Sequence, residues 1–174
     1  NAKVQDYFAE GLMKTIVEEG RKVLQNPNDY DIRANLMWAA TNALNCWIGQ
    51  GVPQDWSSHR MGYALTAQFG LDHAQTLAVI MTYMRKEKAA KLIRMGEVIF
   101  GITEGSADEK AQKSIEATED FFHFMGLKTR LSDYGIKESD LDALVEPIDR
   151  MGWKLGEYGN INSKVAKEIL LLRL

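Results

Sequence analysis

Residues 55–84, DWSSHRMGYALTAQFGLDHAQTLAVIMTYM, contain the pattern that decides the fold. The apolar spacing predicts one helix over about 55–67 and a second from 73 to 84 or beyond. Gly70 interrupts the pattern, because glycine costs about 1 kcal/mol inside a helix. Asp72, with a glutamine three residues later, matches a helix cap and its partner. The stretch therefore predicts two consecutive helices joined by a short connection.

The rest of the chain has the same helical character. Apolar residues recur at helical spacing, only three prolines occur, and no strand-like alternation persists. Further helices are predicted over residues 4–24, from Asp29 or Asp31 toward 49, over 88–100 and 106–125, from about 139, and from 162. We therefore predict an all-α protein, a single helical domain of about seven or more helices that spans residues 1–174.

Composition and charge restrict the class of partner. The chain has 21 basic and 24 acidic residues, a net charge of −3, and no basic stripe, so no nucleic-acid partner is expected. No apolar run approaches the roughly 20 residues that span a bilayer, so no membrane partner is expected. The single cysteine, Cys46, is predicted to be a small buried side chain. One cysteine forms no internal disulfide, which favours a reducing, cytoplasmic location.

The start of the chain is also informative. Helical spacing begins at Val4, without an initiating methionine or a secretory signal pattern. A chain that opens inside an amphipathic helix indicates a fragment, and we expect a further segment to precede it. The charged run 85–88 is predicted to be a solvated helix face.

Two of the three histidines, His59 and His73, lie on the two helices of the opening stretch. On one straight helix they would be about 21 Å apart along the axis. An extended connection over residues 68–72 spans up to about 17 Å, enough to bring them side by side. Spacing alone leaves two interpretations open, because two histidines do not make a metal motif. Each is separately partnered or exposed, or both bind one divalent metal.

The remaining candidates favour structural roles. His123 lies between phenylalanines near a helix end, which predicts a packed structural side chain. The four tryptophans, at positions 38, 47, 56 and 153, are predicted to belong to the core. No glycine-rich phosphate loop follows a strand, and the serines before His59 lack an orienting acid.

The strings around the two histidines are more specific than their spacing. Residues 51–59, GVPQDWSSH, and 71–78, LDHAQTLA, resemble the iron-containing alcohol dehydrogenases, in particular their NADPH-dependent aldehyde reductase and butanol dehydrogenase branch. Residues 30–41, YDIRANLMWAAT, and the segments ITEGS at 102–106 and LSDYG at 131–135 resemble further parts of the same family. The resemblance covers nearly all of the chain and implies a helical domain of the dehydroquinate synthase-like C-terminal type.

The resemblance implies a catalytic metal site. His59 and His73 would be two of four ligands to a divalent metal, usually Fe²⁺ and sometimes Zn²⁺. The other two ligands, an aspartate and a histidine four residues on, would precede Asn1, as would the nucleotide-binding domain for NADP(H) or NAD(H). The whole enzyme would oxidise a small alcohol or reduce an aldehyde, and a homodimer is expected. This chain alone would be inactive.

The chain departs from the family pattern at two positions. Tyr63 stands where the family often has a histidine near the substrate, which puts the proton relay of the substrate pocket in doubt. Tyr158-Gly159-Asn160 lacks a histidine that the related branch has before its last helix. Three hypotheses therefore stay open: half of an oxidoreductase, a non-catalytic helical binding or assembly module, and a lyase of the dehydroquinate synthase type.

Overall fold

The computed structural model describes residues 2–81 and 88–174 of the chain. Within these ranges the chain forms eight α-helices and no β-strand, which confirms the predicted all-α fold. The helices are α1 (Lys3–Val23), α2 (Tyr30–Leu44), α3 (Ser57–Phe69), α4 (His73–Ile80), α5 (Ala89–Phe100), α6 (Ala107–Phe124), α7 (Leu141–Arg150) and α8 (Ser163–Leu171). None of these described helices has the length and apolar character needed to cross a membrane.

The chain divides into two compact units. The first comprises the described residues of 1–52 and 84–125 and contains α1, α2, α5 and α6. The second comprises those of 53–83 and 126–174 and contains α3, α4, α7 and α8. One domain across residues 1–174 stays a prediction.

In the first unit, α1 packs against α2 and α5, and α5 packs against α6. A glycine permits close approach in the second pair, since a Cβ on Gly96 of α5 would lie 3.1 Å from Cβ of Ser114 on α6. Arg94 of α5 donates two hydrogen bonds, of 2.7 and 2.9 Å, to the carboxylate of Glu10 on α1. This bidentate, charge-assisted pair fixes the register of the two helices.

The second unit contains a core of almost fully buried aliphatic side chains, among them Leu65 of α3 and Ile169 of α8. Arg173, itself buried, donates hydrogen bonds to the carbonyls of Val79 (2.9 Å) and Thr129 (2.8 Å). Val79 belongs to the last turn of α4. Arg173 therefore anchors the end of α4.

Side-chain caps begin α2 and α6 where the sequence predicts them. Asp29, one of the two candidates for α2, accepts a hydrogen bond from the Ile32 N–H (3.1 Å). At α6 the Ser106 N–H donates to Glu109 Oε2 (2.7 Å), and the Glu109 N–H donates to Ser106 Oγ (3.3 Å), which completes a capping box.

The structure corrects two predictions in the first unit, the end of α2 and the burial of Cys46. Helix α2 ends at Leu44 rather than near 49, because Cys46 has a φ of +67°, in the left-handed region. Cys46 lies in the following turn and is exposed, so the prediction of a buried cysteine is wrong. Helix α4 ends at Ile80. Residues 82–87, which include its predicted continuation and most of the charged run, lie outside the described residues.

The tryptophans differ from the prediction as well. Trp38, Trp47 and Trp56 are exposed, by 69%, 48% and 49%, and so do not belong to the core. Trp153 is partly buried and packs against the core of the second unit. Helical periodicity places a residue on a face, but only the packing of neighbouring elements decides whether that face is covered.

Candidate metal centre

Helices α3 and α4 pack against each other and are joined by a short connection. Gly70 ends α3 in the left-handed conformation (φ +68°), which glycine adopts without steric cost. The Asp72 N–H donates to Gln75 Oε1 (2.8 Å) in the capping box that begins α4. The predicted cap is confirmed. The connection is shorter than predicted, since α3 continues to Phe69 and only residues 70–72 separate the helices.

The two helices lie close together where Gly62 meets Thr76. A Cβ on Gly62 would lie 2.8 Å from Oγ1 of Thr76, closer than real side chains pack. Thr76 is fully buried, and its hydroxyl donates to the carbonyl of His73 (2.9 Å). Gly62 lies three residues after His59, and Thr76 lies three residues after His73. The crossing therefore sits about one turn from each histidine and sets the distance between them.

The structure brings His59 and His73 together. Their ring centroids are 5.1 Å apart, with an angle of 52° between the ring planes. An imidazole nitrogen binds a metal at about 2.1 Å, so two imidazoles on one tetrahedral ion have centroids roughly 5 Å apart. The pair thus has the donor chemistry and the spacing for one divalent ion. Their role as ligands stays a prediction.

The surroundings of His59 favour its neutral form. Burial lowers the pKa of His59 below its ordinary value, and the nearby His73 lowers it further. At neutral pH a lowered pKa leaves the imidazole uncharged, with a lone pair free to bind a cation. The Trp56 ring packs edge-on against His59 at 4.9 Å between centroids, which restricts the rotation of the imidazole.

The described part of the chain supplies no third ligand. It contains no group of three or more His, Cys, Asp or Glu residues that could hold a metal ion. The carboxylates next to the pair in sequence serve helix starts, since Asp55 accepts from the Ser57 N–H (2.9 Å) and Asp72 caps α4. Two positions of a tetrahedral site can therefore be filled by the histidines described here.

A cleft of about 440 Å³ opens beside His73. It is lined by Tyr63, Thr66, Ala67, Gly70, Leu71, Asp72 and His73. Tyr63, the predicted substrate-pocket residue, is 46% exposed and shares this cleft with His73. Its role toward a substrate stays a prediction.

His123 belongs to a different compact unit from His59 and His73. It lies in the last turn of α6, in the first unit, and its side chain is exposed. The prediction of a side chain packed among core aromatics is therefore wrong for His123, although Phe121 beside it is buried. Phe121 and His123 are two positions apart, so their side chains point about 200° apart around the helix, and burial of one does not imply burial of the other.

Sequence reasoning did not identify Gly62 and Thr76. The available signal was the repeated spacing, with a small residue three positions after each histidine. Small residues at matching helical positions allow two backbones to approach closely. Which small residues meet across a helix pair depends on the crossing, and periodicity does not give that angle.

A family model covers almost the whole chain. The model described as Fe-containing alcohol dehydrogenase family, C-terminal, matches residues 1–170. The chain belongs to the Fe-containing alcohol dehydrogenase family. This confirms the resemblance noted in the sequence.

Two relatives of this chain are named for oxidoreductase activities. It is 48% identical to the NADPH-dependent aldehyde reductase YqhD of Escherichia coli, over 97% of this chain and 45% of that protein. It is 34% identical to the NADH-dependent butanol dehydrogenase B of Clostridium acetobutylicum, again over 97% of this chain and 45% of that protein. The chain thus spans about 45% of the length of these relatives.

A solved structure extends the likeness to the fold. The substrate- and cofactor-free form of the aldehyde reductase YqhD from E. coli matches with a TM-score of 0.95 and 46% identity. The match covers 100% of this chain and 47% of that chain. The family description contains iron, and none of these relatives is named for zinc.

Proposed function

We propose that this chain is the metal-binding half of an NAD(P)-dependent alcohol dehydrogenase or aldehyde reductase. His59 and His73 are assigned two of four ligand positions on a divalent iron, and Tyr63 lines the substrate pocket. The observation that carries the proposal is the histidine pair, with 5.1 Å between ring centroids, of which His73 lines a cleft. Family membership supports the same chemistry.

The residues of this chain hold and orient the reacting groups. When bound, iron supplies a Lewis acid for the substrate oxygen, and a nicotinamide supplies the hydride chemistry. The lowered pKa of His59 keeps its imidazole neutral for binding, and the Trp56 edge restricts its rotation. The Gly62–Thr76 crossing holds the two rings in place. The Tyr63 Oη can donate a hydrogen bond to a substrate oxygen in the cleft.

The remaining parts of the enzyme are assigned outside this chain. Its relatives are more than twice as long, and we propose that the preceding part of the protein supplies the nucleotide-binding domain and the other two ligands. Small alcohols or aldehydes are the proposed substrates, since relatives are named for both. The choice between NADPH and NADH, a homodimer, occasional use of Zn²⁺ and a cytoplasmic location stay predictions.

The non-catalytic alternative rests on one observation. Several large apolar side chains of α2 are exposed, with Met37 at 70% and Leu44 at 80%, as expected for an assembly surface. The same apolar face would also be expected if it packed against the other domain of a complete enzyme. Metal binding and activity therefore decide between the enzyme and the non-catalytic module. The relatives named above are a reductase and a dehydrogenase, which favours an oxidoreductase over a lyase.

We expect this chain alone to bind Fe²⁺ weakly. Two imidazoles leave water to fill the other positions, so anaerobic calorimetric titration should give micromolar affinity at best. His59→Ala or His73→Ala should remove the binding. His123→Ala is the matched control and should leave it unchanged. Nanomolar affinity for one ion would mean that the chain contains further ligands and would contradict the two-ligand assignment.

We also expect this chain alone to lack alcohol dehydrogenase activity, because the nicotinamide site is assigned outside it. Butanol and NADP⁺ should produce no rise in the absorbance of reduced cofactor with this chain, and a measurable rise with the complete enzyme at equal concentration. Turnover by the chain alone would overturn the assignment of half an enzyme. If the metal-loaded complete enzyme turned over neither alcohols nor aldehydes, the non-catalytic module would be favoured.

A further inference from the structure

One face of α3 forms a continuous wall of the cleft and extends beyond it. Tyr63, Ala67 and Gly70 line the cleft at positions three and four residues apart. Arg60 continues the same stripe one turn earlier, since 60, 63, 67 and 70 fall on one face of a helix. The helix buries its opposite side, which includes Met61 and Leu65. An arginine therefore stands at the His59 end of the cleft wall.

Aromatic rings hold the guanidinium of Arg60. Its Cζ lies 4.7 Å from the centroid of the Trp153 ring and 5.9 Å from that of Tyr63. Stacking on a ring restrains the planar guanidinium and leaves the N–H groups at its edge free to donate. Among the described residues no carboxylate pairs with Arg60, whereas Arg94 and Arg150 each pair with a glutamate. Arg60 is thus an oriented cation whose N–H edge meets no carboxylate of the described residues.

The two ends of this wall carry opposite charges. Arg60 stands beside His59, and the carboxylate of Asp72 lies just beyond Gly70 at the other end. Ten residues of helix, about 15 Å, separate Arg60 from Gly70 along the axis. A negative group on a bound molecule is therefore favoured near Arg60 and disfavoured near the carboxylate of Asp72.

We infer that Arg60 binds a carboxylate on the substrate, so that the enzyme favours short aldehydes that carry a terminal carboxylate over neutral aldehydes of equal length. The inference rests on the proposed function, which places the reacting oxygen at the histidine pair. A carboxylate matches the edge of a guanidinium with two parallel hydrogen bonds. A phosphate of the nicotinamide cofactor has the same anionic chemistry, and the experiment separates the two sources.

The test compares two substrates in the complete, iron-loaded enzyme with NADPH. We expect the ratio of kcat/KM for 4-oxobutanoate to kcat/KM for butanal to fall by about 10- to 100-fold in Arg60→Met, mainly through KM for 4-oxobutanoate. Arg60→Lys keeps the charge but not the planar edge and should lose part of the preference. Arg21→Met is the matched control, because Arg21 also stacks on two rings, Phe121 and Phe124, but lies on α1.

Each alternative has its own result. An unchanged ratio in Arg60→Met, or no reduction of 4-oxobutanoate by the wild type, would overturn the inference. Reduction of butanal in the same experiment would still support the proposed function. A rise in KM for NADPH with both aldehydes and a constant ratio would assign the anion to the cofactor phosphate and overturn it too. A wild type that reduces neither aldehyde would overturn the proposed function itself. Iron content and circular dichroism of each variant identify any loss of folding, and Arg60→Lys then carries the comparison.

Discussion

Replacement of His59 by alanine in the complete enzyme is expected to lower kcat/KM for an aldehyde by at least about 10³-fold. The change removes one of two imidazoles that lie 5.1 Å apart and that we assign to the same iron. Without this imidazole the ion would have three of its four proposed ligands and would bind more weakly. An enzyme that loses the ion also loses the Lewis acid that lowers the barrier. Steady-state kinetics with NADPH, together with iron content by mass spectrometry, would measure both losses.

His123→Ala is the matched control for this result. His123 is exposed in the last turn of α6, so its loss should change the free energy of unfolding by no more than about 0.5 kcal/mol. Iron content and kcat/KM should stay at the wild-type level. Full activity of His59→Ala, or equal loss of iron in the two variants, would refute the assignment of His59 as a ligand.

The second large effect is expected at Gly62, which touches no ligand or substrate in our proposal. In Gly62→Ala the new Cβ would meet Thr76 Oγ1 at 2.8 Å and Thr76 Cβ at 3.2 Å, so α3 and α4 must move apart. Overpacking costs about 1–3 kcal/mol, whereas alanine gains about 1 kcal/mol over glycine in a helix. The balance predicts a loss of up to about 2 kcal/mol in unfolding free energy. Iron affinity should fall by at least about tenfold, because the two imidazoles separate.

Two further variants isolate the helix crossing. Gly11→Ala is the matched glycine control, because a Cβ at that position of α1 meets nothing within 4 Å. It should stabilise the protein by about 1 kcal/mol and leave iron binding unchanged. Adding Thr76→Ala to Gly62→Ala removes the closest atom and should recover part of the iron affinity. If Gly62→Ala resembled Gly11→Ala in both measurements, the crossing would not position the histidines.

The sequence predicts the helices well because the signals that form them are local. The capping boxes at Asp72 and Ser106 are read from residues three positions apart, and both are present in the structure. The boundary errors occur where a local feature competes with the helical pattern. At α2 the Asn45 Oδ1 accepts a hydrogen bond from the Trp47 N–H (3.0 Å), which stabilises a turn where apolar spacing predicts more helix.

Burial is the property that the sequence predicts least reliably. Cys46, His123 and three of the four tryptophans are exposed, although residue type or neighbours predict a packed side chain. Exposure depends on which helix covers which face, and that is decided by residues far away in the chain. For the same reason, spacing alone allowed His59 and His73 to lie side by side but did not show that they do.

By itself, then, the sequence determined the helical class, the caps, the family and the two histidines, because each depends on residue order over a few turns. Only the tertiary structure decided that Gly62 packs on Thr76 and that Trp153 holds Arg60 from 93 positions away. These contacts arise from the crossing of α3 with α4 and from the packing of the chain after α7. Side-chain volumes on both partners set that packing, and no single stretch of sequence contains both.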